Sequence, residues 1–270
     1  MNIAISNIAW EKSEDKTVLS ILKKHHIKGI EIAPTKIWEN PIKVENKSIK
    51  KYKEYWMKNG ISFVAMQSIL FAHPEFTLFD TKEVREKTLQ YIVKMINLAQ
   101  RLGIKAMVFG SPKNRAIKNL SNSEVFEIAC EFFSKIADSA KQQDVYFCIE
   151  PNPPSYGTNF INNTKEAVDL IKTVNHPNFR LHLDSGALAL NEENYEDSIK
   201  KGFPYLMHFH ISQPYLAHVG KGIVDHKKIA EILKNLHYDK WVSIEMLNKR
   251  AKNSADTIDK TLKFVTSLYK

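Results

Sequence analysis

The chain has 270 residues, 43% hydrophobic and 26% charged, with a formal net charge of +9. That is the balance of a well-cored globule, and no apolar run approaches the ~18 residues a membrane span needs. The 39 Lys and Arg are scattered over segments such as "SIKKYKEYWMKNG", a solvated cationic face more than a nucleic-acid groove.

The N-terminus, "MNIAISNIAWEKSEDK", lacks the basic start and small-residue cleavage site of a signal peptide. The cysteines are Cys130 in "IACEFF" and Cys148 in "YFCIE". Two cysteines in apolar surroundings argue against a disulfide framework and for buried free thiols, as in a reducing cytoplasm.

One rhythm runs along the chain. A short β-branched and aromatic run ends at a Pro, Gly, Ser or acidic residue, and a segment of helical period follows. The first four runs are "NIAISNI" (2–8), "KGIEIA" (28–33), "ISFVAMQ" (61–67) and "IKAMVFG" (104–110). Before the fourth, "KEVREKTLQYIVKMINLAQRLG" carries apolar residues at i, i+3, i+4, i+7, with Gly103 as its stop. After it comes "NSEVFEIACEFFSKIADSAKQQ", with Ser121 or Asn122 as N-cap. The second four are "VYFCIE" (145–150), "FRLHLD" (179–184), "LMHFHI" (206–211) and "WVSIEM" (241–246). Helical segments "TKEAVDLIKTV", "DHKKIAEILKNL" and "SADTIDKTLKFVTSLY" follow the fifth, seventh and eighth runs. Alternating strands and helices imply parallel pairing with right-handed crossovers. Eight units in this length predict a single (β/α)₈ TIM barrel over residues 1–270, with an open doubly wound sheet as the alternative.

The last four runs end at or beside Glu150, Asp184, His210 and Glu245. Each follows an apolar run and precedes a loop, which places it at the C-terminal end of a strand, where barrel active sites form. Three carboxylates and an imidazole would repel one another there unless a cation sat among them. Oxygen-rich donors with one nitrogen suit one divalent ion, Mn²⁺ first, with Mg²⁺, Co²⁺ or Zn²⁺ as alternatives. A strand-end acid taken alone is more often a helix N-cap or a surface group; the set of four is what carries the metal reading. Strand alternation turns His208 with His210, His182 with Asp184, and Ser243 with Glu245, the later member nearer the mouth. His182 and His208 then lie deeper, as buried core groups or as partners that orient the ligands or touch substrate.

With these residues in hand, the sequence resembles the xylose isomerase-like TIM-barrel superfamily. That group holds sugar isomerases, ketose 3-epimerases, hydroxypyruvate isomerases, inosose dehydratases and endonuclease IV. "IEPNP", "HLDSG", "HFHIS" and "SIEM" match the four metal positions of the ketose epimerases as Glu150, Asp184, His210 and Glu245. "EIAPTKIW", "GSPKNR" and "NFINNT" resemble its sugar phosphate isomerase/epimerase members. The resemblance implies that the metal stabilises an enediolate while Glu150 and Glu245 move a proton from opposite faces. It also implies dimers or tetramers. Two departures bear on substrate. Ala187 stands where many members have a substrate-binding His, and "QPYLAHVGKG" offers His218 and Lys221 where many epimerases have an Arg.

In the first half, Lys36 and Arg115 follow strand ends and form a cation pair suited to a phosphate or carboxylate, or are ordinary surface cations. Trp10, Trp38 and Phe71 either wall a sugar pocket or pack under loops. His73 reads as a surface residue. Glu31 reads as a partner of a substrate hydroxyl or of a barrel lysine. The function the resemblance implies is a metal-dependent isomerase or epimerase of a sugar or sugar phosphate, acting by proton transfer. A dehydratase of the same superfamily is the first alternative. An endonuclease, which would need further histidines including one at position 187, and a non-catalytic barrel rank lower.

Overall fold

The protein is described by a computed structural model covering residues 1–247 and 254–270. Eight parallel strands close into a barrel in chain order. They are β1 (Asn2–Ser6), β2 (Gly29–Ile32), β3 (Ser62–Met66), β4 (Ala106–Phe109), β5 (Tyr146–Ile149), β6 (Phe179–Asp184), β7 (Leu206–Ser212) and β8 (Trp241–Glu245). β8 pairs back onto β1, with Ala4 opposite Ser243. Each expected run contains its strand except the seventh, which extends one residue further, to Ser212.

The helices are α1 (Asp15–Lys24), α2 (Asn46–Met57), α3 (Lys82–Leu102), α4 (Asn122–Gln142), α5 (Thr164–Val174), α6 (Ser185–Leu190), α7 (Tyr195–Gly202), α8 (His226–Asn235) and α9 (Ser254–Tyr269). Their ends follow local chemistry. Thr81 caps α3, and Gly103 closes it at φ +80°, a left-handed conformation that glycine adopts without penalty. Ser121, not Asn122, caps α4, in a reciprocal box with Glu124. α6 and α7 were not among the expected helices. "SGALAL" is apolar all round and too short to show a helical period.

The main core lies between barrel and helices; Phe109, Phe147 and Phe179 pack on Phe133 of α4, and Phe209 and Ile244 belong to the same buried cluster. A second cluster joins Ala4, Ala65, Ala106 and Cys148, small residues that leave room for histidines elsewhere in the interior. Both cysteines are free; Cys148 is buried as expected, whereas Cys130 is only half-buried. Among the described residues no helix is long and apolar enough to cross a membrane.

Candidate active site

Register brings the strand-end residues together. His210 pairs with Asp184 across β6–β7 and with Ser243 across β7–β8, and Ser212 lies opposite Glu245. Asp184 and Glu245 end their strands, Glu150 lies one residue past β5, and His210 lies two residues inside the end of β7. Ligand atoms of Asp184, His210 and Glu245 lie within 4.8 Å of one another, as do those of Glu150, His182 and His210. The two triplets share His210, so the four predicted ligands form one cluster.

His210 Nδ1 is 3.1 Å from Glu245 Oε2 and 4.0 Å from Asp184 Oδ2. It is buried and finds no hydrogen-bond partner among the described residues. Asp184 serves two ends: Oδ1 accepts from Ala187 N (2.6 Å) as cap of α6, and Oδ2 accepts from Ser212 Oγ (2.5 Å). Its N-cap role therefore coexists with a place in the cluster. Ser212 Oγ in turn accepts from Gly186 N (2.9 Å). Gly110 makes space for Glu150, because a Cβ there would overlap Glu150 Oε2.

The electrostatics ask for a cation. Burial and the facing charges of Asp184 and Glu245 push Glu150 up to about 8. Burial and Glu245 push Asp184 up to about 6. Burial favours a neutral His210, but the carboxylates of Glu31 and Glu245 overcome it and hold its pKa well above the usual value. An orphaned imidazole nitrogen facing crowded carboxylates fits a hard divalent ion, which would return those carboxylates to the ionised state.

Beneath this layer lie His208 and His182. Burial, then His210 and His208, hold His182 well below the usual imidazole value, and neither of its ring nitrogens has a hydrogen-bond partner among the described residues. Its ring centroid is 4.0 Å from that of His210. Glu31 is fully buried and pairs with His210, at 2.9 Å; among the described residues it has no lysine partner. β2 turns it into the interior, where the cationic partner within reach is an imidazole.

A cavity of about 370 Å³ meets the cluster at Glu245, within the range of small-molecule sites. Trp10, Phe71 and Leu216 form apolar wall, with Thr35, Gln67 and Lys36 as polar lining. Lys36 Nζ is 2.5 Å from Glu11 Oε1, so its charge is already matched. Trp38 instead donates to Ser48 and packs edge-on against Tyr52, the loop-packing alternative. His73 is hydrogen-bonded to Glu75 (2.8 Å). Arg115 is fully buried behind Glu150, not open in the mouth. Its Nη2 donates to Glu150 O (2.6 Å) and Asn152 Oδ1 (2.8 Å). Burial lowers its pKa to about 10, offset by the Glu150 charge. His218 and Lys221 lie in the loop before α8; His218 is half-buried, Lys221 is exposed, and neither lines the cavity.

Gln67 and Ser212 were missed. Gln67 Nε2 donates to Ser6 Oγ (2.8 Å) and lines the cavity. It ends an apolar run as Glu150 does, so the same strand-end signal was present.

Barrel and cluster together define a class, parallel (β/α)₈ proteins with an acid–imidazole site at the C-terminal mouth. Residues 19–268 match the family described as xylose isomerase-like TIM barrel, and the chain belongs to it. A D-psicose 3-epimerase of Ruminiclostridium cellulolyticum is 27% identical over 128 residues, 47% of this chain and 43% of that protein. The chain thus matches less than half the length of such curated relatives. The crystal structure of D-psicose 3-epimerase with D-tagatose from Clostridium cellulolyticum has a TM-score of 0.83 at 19% identity, covering 100% of both chains. Apo 3-keto-D-glucoside 4-epimerase from E. coli gives 0.82 at 17%, covering 99% of both. At these identities the structural likenesses establish the fold.

Proposed function

We propose that the protein is a metal-dependent sugar epimerase or isomerase that moves a proton at a carbon beside a carbonyl. The observation that carries this reading is the grouping of Glu150, Asp184 and Glu245 about His210, with Glu245 reaching the wall of a sugar-sized cavity. Those four residues would hold one divalent ion, Mn²⁺ by donor chemistry. When bound, the ion polarises the substrate carbonyl and so acidifies the neighbouring C–H. Similarity to ketose 3-epimerases supports the same chemistry.

The chain's own part is positioning and proton transfer. Glu150 and Glu245 stand on either side of β6 and β7, so their carboxylates approach a bound sugar from different directions. One removes the proton from carbon and the other delivers a proton to the opposite face, which inverts the centre. Ser212 and the α6 backbone hold Asp184 by both oxygens. Trp10 and Phe71 cover the apolar side of the sugar and exclude water. Lys36, the cation lining the described part of the cavity, is spent on Glu11, which favours an uncharged sugar over a sugar phosphate.

The test is solvent deuterium incorporation at carbon when ketoses are incubated with Mn²⁺-loaded protein in D₂O. Glu150→Gln and Glu245→Gln should each slow exchange by about 10²–10⁴-fold. Exchange at the wild-type rate in both variants would refute the assignment, and loss of water from substrate would redirect it to a dehydratase.

A further inference from the structure

We infer that Glu31 is a positioning residue for the metal site: it selects which nitrogen of His210 faces the ion and fixes the ring. The inference rests on the metal reading above and extends it to a residue outside the ligand set.

Glu31 lies on β2 and His210 on β7, 179 residues apart in sequence. Both Glu31 oxygens approach the same atom, His210 Nε2, at 3.0 and 2.9 Å. The register between β2 and β3 slips between Ile30 and Glu31, the kind of irregularity that re-aims a side chain beside a functional site. Between the two strands run β8 and β1, whose register partners Ser243 and Ala4 are small and fully buried, leaving the crossing open.

The consequence follows from donor–acceptor chemistry. A carboxylate only accepts hydrogen bonds, so Nε2 must carry the hydrogen and Nδ1 is the nitrogen left to bind an ion. Nδ1 is the atom that faces Glu245 and Asp184, with no hydrogen-bond partner among the described residues. His208 Nε2 stands 3.4 Å from Glu31 Oε1 and confines the carboxylate from below. A fully buried carboxylate is costly unless paired, so Glu31 has no alternative resting place and the ring cannot turn freely. An outer carboxylate on a ligating histidine also raises the basicity of that ligand.

The experiment compares wild type, Glu31→Gln and Glu31→Leu by Mn²⁺ equilibrium dialysis, by far-UV circular dichroism, and by the visible spectrum of the Co²⁺-loaded protein. Glu31→Leu should bind Mn²⁺ about 10–100-fold more weakly. Glu31→Gln, whose Oε1 still accepts from Nε2, should fall between that and wild type. The Co²⁺ bands should move in the same order while the far-UV spectrum is unchanged. If Glu31→Leu does not fold, Glu31→Gln alone carries the comparison. Wild-type affinity and an unaltered Co²⁺ spectrum in Glu31→Gln, with the wild type binding Mn²⁺, would overturn the role of Glu31 alone. A wild type that takes up no Mn²⁺ would remove the ion itself and this role with it.

Discussion

Gly110→Ala separates function from stability. The backbone at Gly110 is not left-handed, so alanine fits its conformation. The added Cβ would overlap Glu150 Oε2 and come within 3.3 Å of Glu150 Cδ and 3.5 Å of Asn152 Oδ1. The nearest obstacle is the end of a flexible side chain, so the fold yields cheaply: the carboxylate swings away. Restricting the unfolded chain should even stabilise by about 0.4–1 kcal/mol. The displaced carboxylate is a proposed ligand and base, and a shift of roughly 1 Å near a reacting group costs about 100-fold in rate. Deuterium exchange into substrate, read beside urea unfolding, is the assay. The expected result is exchange slowed about 100-fold at unchanged or slightly raised stability. Wild-type exchange, or a loss of stability above about 2 kcal/mol, would refute the placement of Glu150.

Ser212→Ala should cost about 1–3 kcal/mol and weaken Mn²⁺ binding, because it leaves the buried Gly186 N–H unpaired and frees Asp184 Oδ2. Chemical denaturation and dialysis read the two effects. In the ion-free protein, burial and facing carboxylates raise Glu150 to about 8 and Asp184 to about 6, and His210 is raised as well. The folded state therefore holds protons that the unfolded chain releases, and stability grows as pH falls from about 8.5 to about 6.5. Below that, His182 and His226, both lowered by burial, begin to oppose the gain. Thermal melts should show the ion-free protein more stable at the lower pH of this window. Saturating Mn²⁺ should add more stability at the higher pH, because its ligands must be deprotonated to bind. His218→Ala and Lys221→Ala should leave kcat/KM unchanged, since neither residue lines the cavity; a large rise in KM would show that their loop closes on substrate.

The sequence made the barrel legible because its signal is repeated. Eight apolar runs, each punctuated by a turn residue or an acid, leave few alternatives once parallel crossovers are required, and every strand fell on its run. The grouping of the four proposed ligands was legible for the same reason, since charged residues at the ends of four consecutive strands must share one mouth. Contacts across the barrel were not. Glu31 reaches His210 through the interior, and the register slip that aims it leaves no mark in the pattern of apolar residues. Arg115 shows the converse. A cation in a loop after a strand reads as exposed, but the turn at Pro112–Arg115 folds it under Glu150 and Asn152. Short helices α6 and α7 escaped because six to eight residues do not display a period.

The most direct test of the central claim is elemental analysis of purified protein, beside the Glu150→Gln, Glu245→Gln double variant. The account expects about one divalent ion per chain in the wild type after Mn²⁺ is supplied, and its loss in the double variant. A wild type that takes up no ion would contradict it, as would a double variant that keeps a full equivalent.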